Sequence, residues 1–155
     1  MPGFFENTAR CLTISSPEEK CAAVTDLWLA VQLNDLEFDP NTPLTPIGVA
    51  GHPPRPELVS PAKLKRRRLG SEAGRAALVH AVTHIEFNAI NLALDAAFRF
   101  RDMPPLFYHD WISVAADEAR HFQLLSTRLQ SMGFSYGDFP AHNGLWEMAL
   151  SLIHI

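Results

Sequence analysis

Ser71-Glu72-Ala73-Gly74-Arg75-Ala76-Ala77-Leu78-Val79-His80-Ala81-Val82-Thr83-His84-Ile85-Glu86 opens the stretch that decides the fold, and its helical spacing runs without a proline to Asp102. Ser71 suits a helix N-cap, and Glu72 favours the positive end of the helix dipole. Met103-Pro104-Pro105 breaks the pattern, a second run extends from Leu106 to Met132, and Gly133 stands where a left-handed residue ends a helix. Two long helices joined by so short a break predict an antiparallel hairpin. Strand-like alternation is absent along the chain, so the predicted class is all-α.

Upstream, Ser16-Pro17-Glu18-Glu19 predicts another helix start, with Ser16 as cap, Pro17 in the first turn and Glu19 closing a capping box. Apolar residues at helical spacing follow (Ala22, Leu27, Leu29, Val31), and Asn34-Asp35 ends the run. Between Asp39 and Pro61 stand Pro40, Pro43, Pro46, Pro53, Pro54, Pro56 and Pro61, which exclude helix and central strand and predict an extended strap over the surface. Lys63-Leu64-Lys65-Arg66-Arg67-Arg68 then forms a basic run. The expected organisation is an N-terminal helical segment over 1–35, a Pro-rich and basic linker over 36–70, and the helix pair within 71–149.

With 155 residues, 47% of them apolar, the chain is sized for one domain with a real core. A formal net charge of −4 gives no global pull toward nucleic acid or anionic membrane. Cys11 and Cys21 lack CxxC spacing, which argues against a disulfide scaffold or structural zinc and for a reducing cytoplasm. No signal-peptide pattern is visible, and no apolar run approaches the roughly 20 residues that span a bilayer.

Two acids stand where acids are costly. On a wheel of about 100° per residue, Val79, Val82, Ile90, Ala93, Ala97 and Phe100 fall within about 40° of Glu86, while His84, Asn88, Asn91, Asp95 and Arg99 gather opposite. Glu118 similarly centres a stripe of Phe107, Trp111, Val114, Phe122, Leu125, Leu129 and Met132, with His121 within about 60°. Glu86 and Glu118 are also equidistant from Asp102, close to the turn. Displacing the turn centre by a residue or two shifts their match by only about 3–6 Å at a rise of about 1.5 Å per residue. Two carboxylates and an imidazole facing one another in an apolar setting call for a cation, and oxygen with nitrogen donors suits iron or manganese. Glu-x-x-His puts both side chains on one face of a helix. By itself that spacing is weak evidence, and a buried Glu can instead be satisfied by Arg or Tyr.

Other residues weigh less. His84 and Glu86 lie on opposite helix faces, so His84, like His80, is expected to support neighbours or bridge helices. His109 is expected in solvent or against another helix, and Phe87, Phe98 and Trp111 in the core. His142, in the turn-rich Gly137-Asp138-Phe139-Pro140-Ala141-His142, is near enough in sequence to approach the site. The basic run is expected to be solvated linker, with RNA binding as its minority role.

His80 to Asp95 is similar to the first motif of a bacterial ferritin-like family described as domain of unknown function 455. Glu118-Ala119-Arg120-His121-Phe122 resembles its second motif, and Tyr136-Gly137-Asp138-Phe139-Pro140-Ala141-His142 with Gly144-Leu145-Trp146 resembles the loop that follows. The likeness extends back through Arg55-Pro56-Glu57-Leu58-Val59 and Gly74-Arg75-Ala76-Ala77-Leu78. The resemblance implies a four-helix ferritin-like bundle, of which this chain holds the first helix pair, with Glu86, Glu118 and His121 as half of a di-iron ligand set. A second pair supplying another Glu and another Glu-x-x-His is expected of such families. Leu150-Ser151-Leu152-Ile153-His154-Ile155 looks like a translated library adapter, so truncation near Ala149 is expected and His154 is not counted as a ligand.

Three functions compete at this stage. The first is a di-iron or di-manganese oxidase or hydroxylase when full length, with Glu86 as terminal ligand, Glu118 as bridge and His121 as nitrogen donor; the fragment alone is expected to be inactive. The second is iron handling without an organic substrate. The third is a metal-free helical interaction module. An apolar face left uncovered would also favour homodimerisation.

Overall fold

The computed structural model describes residues 2–43 and 49–153, and among these the chain is all-helical. Its helices are α1 (Phe4–Thr13), α2 (Pro17–Gln32), α3 (Glu72–Arg99), α4 (Pro105–Ser131) and α5 (Gly144–Ile153). Only isolated bridges, Gly3 with Glu37 and Leu58 with Ala141, interrupt that pattern. No helix is long and apolar enough to cross a membrane among the described residues. Pro46 of the strap, and His154 and Ile155 of the expected foreign tail, lie outside the described residues.

By contact density the chain forms two compact units, Met1–Pro53 with Ile90–Ala119, and Pro54–Ala89 with Arg120–Ile155. The long helices α3 and α4 run through both. In the first unit Phe100 meets Phe107, and in the second Phe87 meets Phe122. Both pairs are centred between Met103 and Pro105, as an antiparallel hairpin requires. Asp102 takes φ 58° at the turn.

In the first unit, α1 is a helix that proline and cap signals did not announce. Gly3 holds its N-cap position without a side-chain bond, so burial does the work: Phe4, Phe5, Thr8, Cys11 and Leu12 all turn inward. Thr8 Oγ1 donates to Phe4 O at 2.8 Å, which satisfies the one polar group on that face. Phe4 stacks on Phe38 at 4.4 Å, and Phe5 meets Tyr108 edge-on at 5.4 Å, so α1 builds an aromatic core with α4. The cap of α2 is as expected, with Ser16 Oγ accepting from Glu19 N at 3.3 Å.

The strap in this unit is tied down rather than draped. Gly51 N donates to Leu12 O at 2.8 Å, and a Cβ on Gly51 would stand 2.3 Å from Ile14 O, so only glycine permits that approach. Lys20, with no exposed surface, donates to Leu12 O and Gly51 O at 3.0 Å each and to Asn91 Oδ1. Burial pushes its amine down from 10.5 to about 7. Cys11 and Cys21 are buried beside it, and burial raises both thiols from 9.0 to about 11. The polar side of α3 is therefore covered, not solvated: Asn91 and Asp95 are both buried, and Asp95 accepts two bonds from Arg99 at 3.0 Å each.

In the second unit, Val59 N donates to Ala141 O and Ala141 N to Glu57 O, fastening the linker to the loop after α4. Gly133, at φ 86°, ends α4 as its position predicted. Ser71 Oγ accepts from Gly74 N at 3.0 Å and caps α3. His80 is buried, stacked on Tyr136 at 5.3 Å, and its Nε2 accepts from Gly137 N at 3.0 Å.

Burial, reinforced by His84, lowers His80 from 6.5 to about 4. The unfolded chain therefore binds a proton that the folded chain refuses, and stability falls as pH drops from 6.5 toward 4. The loss across that window is expected to be about 3 kcal/mol at about 1.4 kcal/mol per pKa unit. Urea unfolding at pH 7 and pH 4.5 checks this. His80→Gln should flatten the difference, and an equal acid loss in that variant would assign it elsewhere.

Candidate metal centre

Glu86 lies in the middle of α3, and Glu118 and His121 lie one turn apart on α4. One ligand atom from each of the three lies within 4.8 Å of the others. His121 turns Nδ1 toward Glu86 Oε2 at 3.7 Å, while Arg120 Nη2 stands 3.4 Å from His121 Nε2. The residue opposite Glu86 in hairpin register is His121, because the pairing centre falls near Pro104 and not at Asp102. Glu118 follows one turn away.

The described residues cover these side chains only in part, on the apolar face that the sequence left without a second helix pair. Glu86 is 19% exposed and His121 41%, and Val82, Phe100 and Val114 of the two stripes are exposed as well. On α4 the fully buried line is Tyr108, Ile112, Ala115, Ala119, Phe122 and Leu129. That line is rotated by roughly 70° from Glu118 at about 100° per residue. The wheel found the apolar side of each helix but not which edge of it the described residues cover. The acids occupy the open edge.

Donor chemistry fits a cation. Two donors held about 2.1 Å from one ion stand roughly 3–4.2 Å apart, so the observed cluster needs only small side-chain adjustments. Two carboxylates and one imidazole match the preference of iron and manganese for oxygen with nitrogen. Three donors leave positions open to other ligands.

The remaining sequence candidates fall elsewhere. His84 is buried, with Nδ1 2.8 Å from Tyr136 OH and Nε2 3.1 Å from Asn143 Oδ1, so it bridges α3 to the loop after α4. His109 packs edge-on against Trp28 of α2 at 4.9 Å. Phe87 and Phe98 are core, and Trp111 is half-buried. His142 takes a bond from Gly144 N at 3.1 Å and is not among the clustered ligands. Tyr136 and Asn143, which hold His84, carried no signal of their own in spacing or periodicity.

Residues 13–154 match the family model described as "Protein of unknown function (DUF455)". The chain is also similar to an uncharacterized protein of Haemophilus influenzae, 40% identical over 161 aligned positions. That alignment takes in 97% of this chain and 56% of the relative, so the chain spans a little over half of the relative's length. No solved structure matches.

Proposed function

Given that the chain belongs to the DUF455 family of unknown function, we propose that Glu86, Glu118 and His121 are half the ligand set of a ferritin-like di-iron or di-manganese protein. In this reading the whole protein is an oxidase or hydroxylase. The observation that carries it is the convergence of two carboxylates and one imidazole from two helices within 4.8 Å. Glu118 and His121, one turn apart, would hold one ion together, with Glu86 as a further ligand from the facing helix. Such an ion pair, when bound, supplies one-electron steps toward O₂ or peroxide. The chain's own part is to fix three donors on rigid helices and leave positions open.

In this half of the protein His121 is 41% exposed, which would suit a second role, iron handling without an organic substrate. Anaerobic iron loading of the intact protein, followed by desalting, metal analysis and exposure to air, tests both. Retained iron with an O₂-dependent absorbance change is expected. Oxygen uptake with no product from any added substrate assigns iron handling, and loss of all iron on desalting sinks the metal proposal.

A further inference from the structure

The basic run is exposed, as a solvated linker is, but three of its residues also border a cavity. Lys63, Lys65 and Arg67 line a cavity of about 330 Å³ in the second unit, together with His84, Asn88 and His142. Arg67 is held in place by its guanidinium lying 5.1 Å from the Phe139 ring centroid. The rest of the lining is apolar, with Ala77, Ala81 and Ile85 of α3 alongside Leu64, Leu145 and residues 139–141, and no carboxylate lines it. Three cationic residues thus border one cavity in a chain whose net charge is −4.

His84 and Asn88 give part of the lining a fixed arrangement. Both are buried, and His84 is locked between Tyr136 and Asn143. Asn88 Nδ2 adds a 3.4 Å contact to the same Asn143 oxygen. His84 stands about 160° around α3 from Glu86, so the cavity opens on the helix face away from the metal ligands.

We propose that this cavity binds a small organic phosphate monoester, with its phosphate among Lys63, Lys65 and Arg67 and its apolar body toward Phe139 and Leu145. A phosphate monoester carries about −1.5 to −2 charges and three strong acceptor oxygens, which matches three cationic lining residues better than a single carboxylate does. The apolar lining would be unused by inorganic phosphate. The volume is of the size that small-molecule sites take, roughly 300–1,000 Å³.

Calorimetric titration of the intact protein with phenyl phosphate tests this, with inorganic phosphate and a single-stranded RNA oligonucleotide in parallel. Phenyl phosphate is expected to bind saturably and at least about 10-fold tighter than inorganic phosphate. Lys65→Gln and Arg67→Gln are each expected to weaken it about 10-fold or more, Lys65→Gln with no change in the melting temperature of the free protein because Lys65 is exposed. Glu118→Ala is expected to leave phenyl phosphate binding intact, which separates this site from the metal centre. Absence of saturable binding, or binding indifferent to both variants, overturns the proposal. Tighter RNA binding that phenyl phosphate does not displace also overturns it, in favour of nucleic acid.

Discussion

Glu118→Ala is expected to strip the intact protein of bound metal, while His84→Gln keeps most of it. Glu118 contributes one of two carboxylates in the cluster and stands one turn from the imidazole that completes it. Removing it leaves a lone Glu86 and His121, whose 3.7 Å contact then has no third donor. Affinity should fall by well over the roughly 10–100-fold that loss of a merely supporting partner costs. His84 points the other way around α3 and holds Tyr136 and Asn143, so a glutamine there retains polar capacity without touching the ligands. Metal content after desalting, measured on both variants side by side, is the check. Wild-type loading in Glu118→Ala would remove Glu118 from the site.

The largest expected effect on the fold comes from Lys20→Met. The change keeps the apolar stem and deletes a nitrogen that ties α1, the strap and α3 together through Leu12 O, Gly51 O and Asn91. Leu12 O keeps the Gly51 N–H, and Gly51 O keeps a 3.4 Å contact from the Asn91 amide, so two acceptors stay partly served. A loss of about 2–4 kcal/mol is expected at pH 8, below the cost of leaving three buried acceptors bare. The wild type adds a pH signature. Folded Lys20 gives up its proton near pH 7, whereas the unfolded chain holds it to the ordinary lysine value of 10.5. The unfolded state thus binds more protons above pH 7, and stability climbs with pH. Raised Cys11 and Cys21 act in the opposite sense only above about pH 9, which leaves pH 7–9 as the window to read. Denaturant titrations across that window should show the rise in wild type and none in Lys20→Met. A parallel rise in both would exonerate Lys20.

The hairpin was legible because its signals are local. Ser71 caps, Met103-Pro104-Pro105 breaks and Gly133 stops, and each does so through its own backbone chemistry. Clustering of Glu86, Glu118 and His121 was legible for a related reason, since helix period and hairpin symmetry place side chains without any knowledge of the rest. Helix α1 escaped because it begins at Gly3 without a capping side chain, although Phe4, Phe5, Thr8, Cys11 and Leu12 carry its period. Burial escaped more thoroughly. Asn91 and Asp95 read only as a polar side opposite Glu86, yet Lys20, Gly51 and Arg99 give them partners, and Lys20 and Gly51 lie far away in the chain. Conversely, Val82 and Val114 read as core and are open. A wheel records which side of a helix is apolar; which segments arrive to cover it is a matter of tertiary contact.

The two thiols of the first unit show what such covering does to reactivity. Only the thiolate attacks an electrophile, and at neutral pH burial holds both sulfurs in the protonated form, away from reagent. Each becomes nucleophilic when α1 or α2 lifts away, so the rate of alkylation is a clock for local opening. The chain thereby carries its own pair of reporters, on adjacent helices, with no label to introduce.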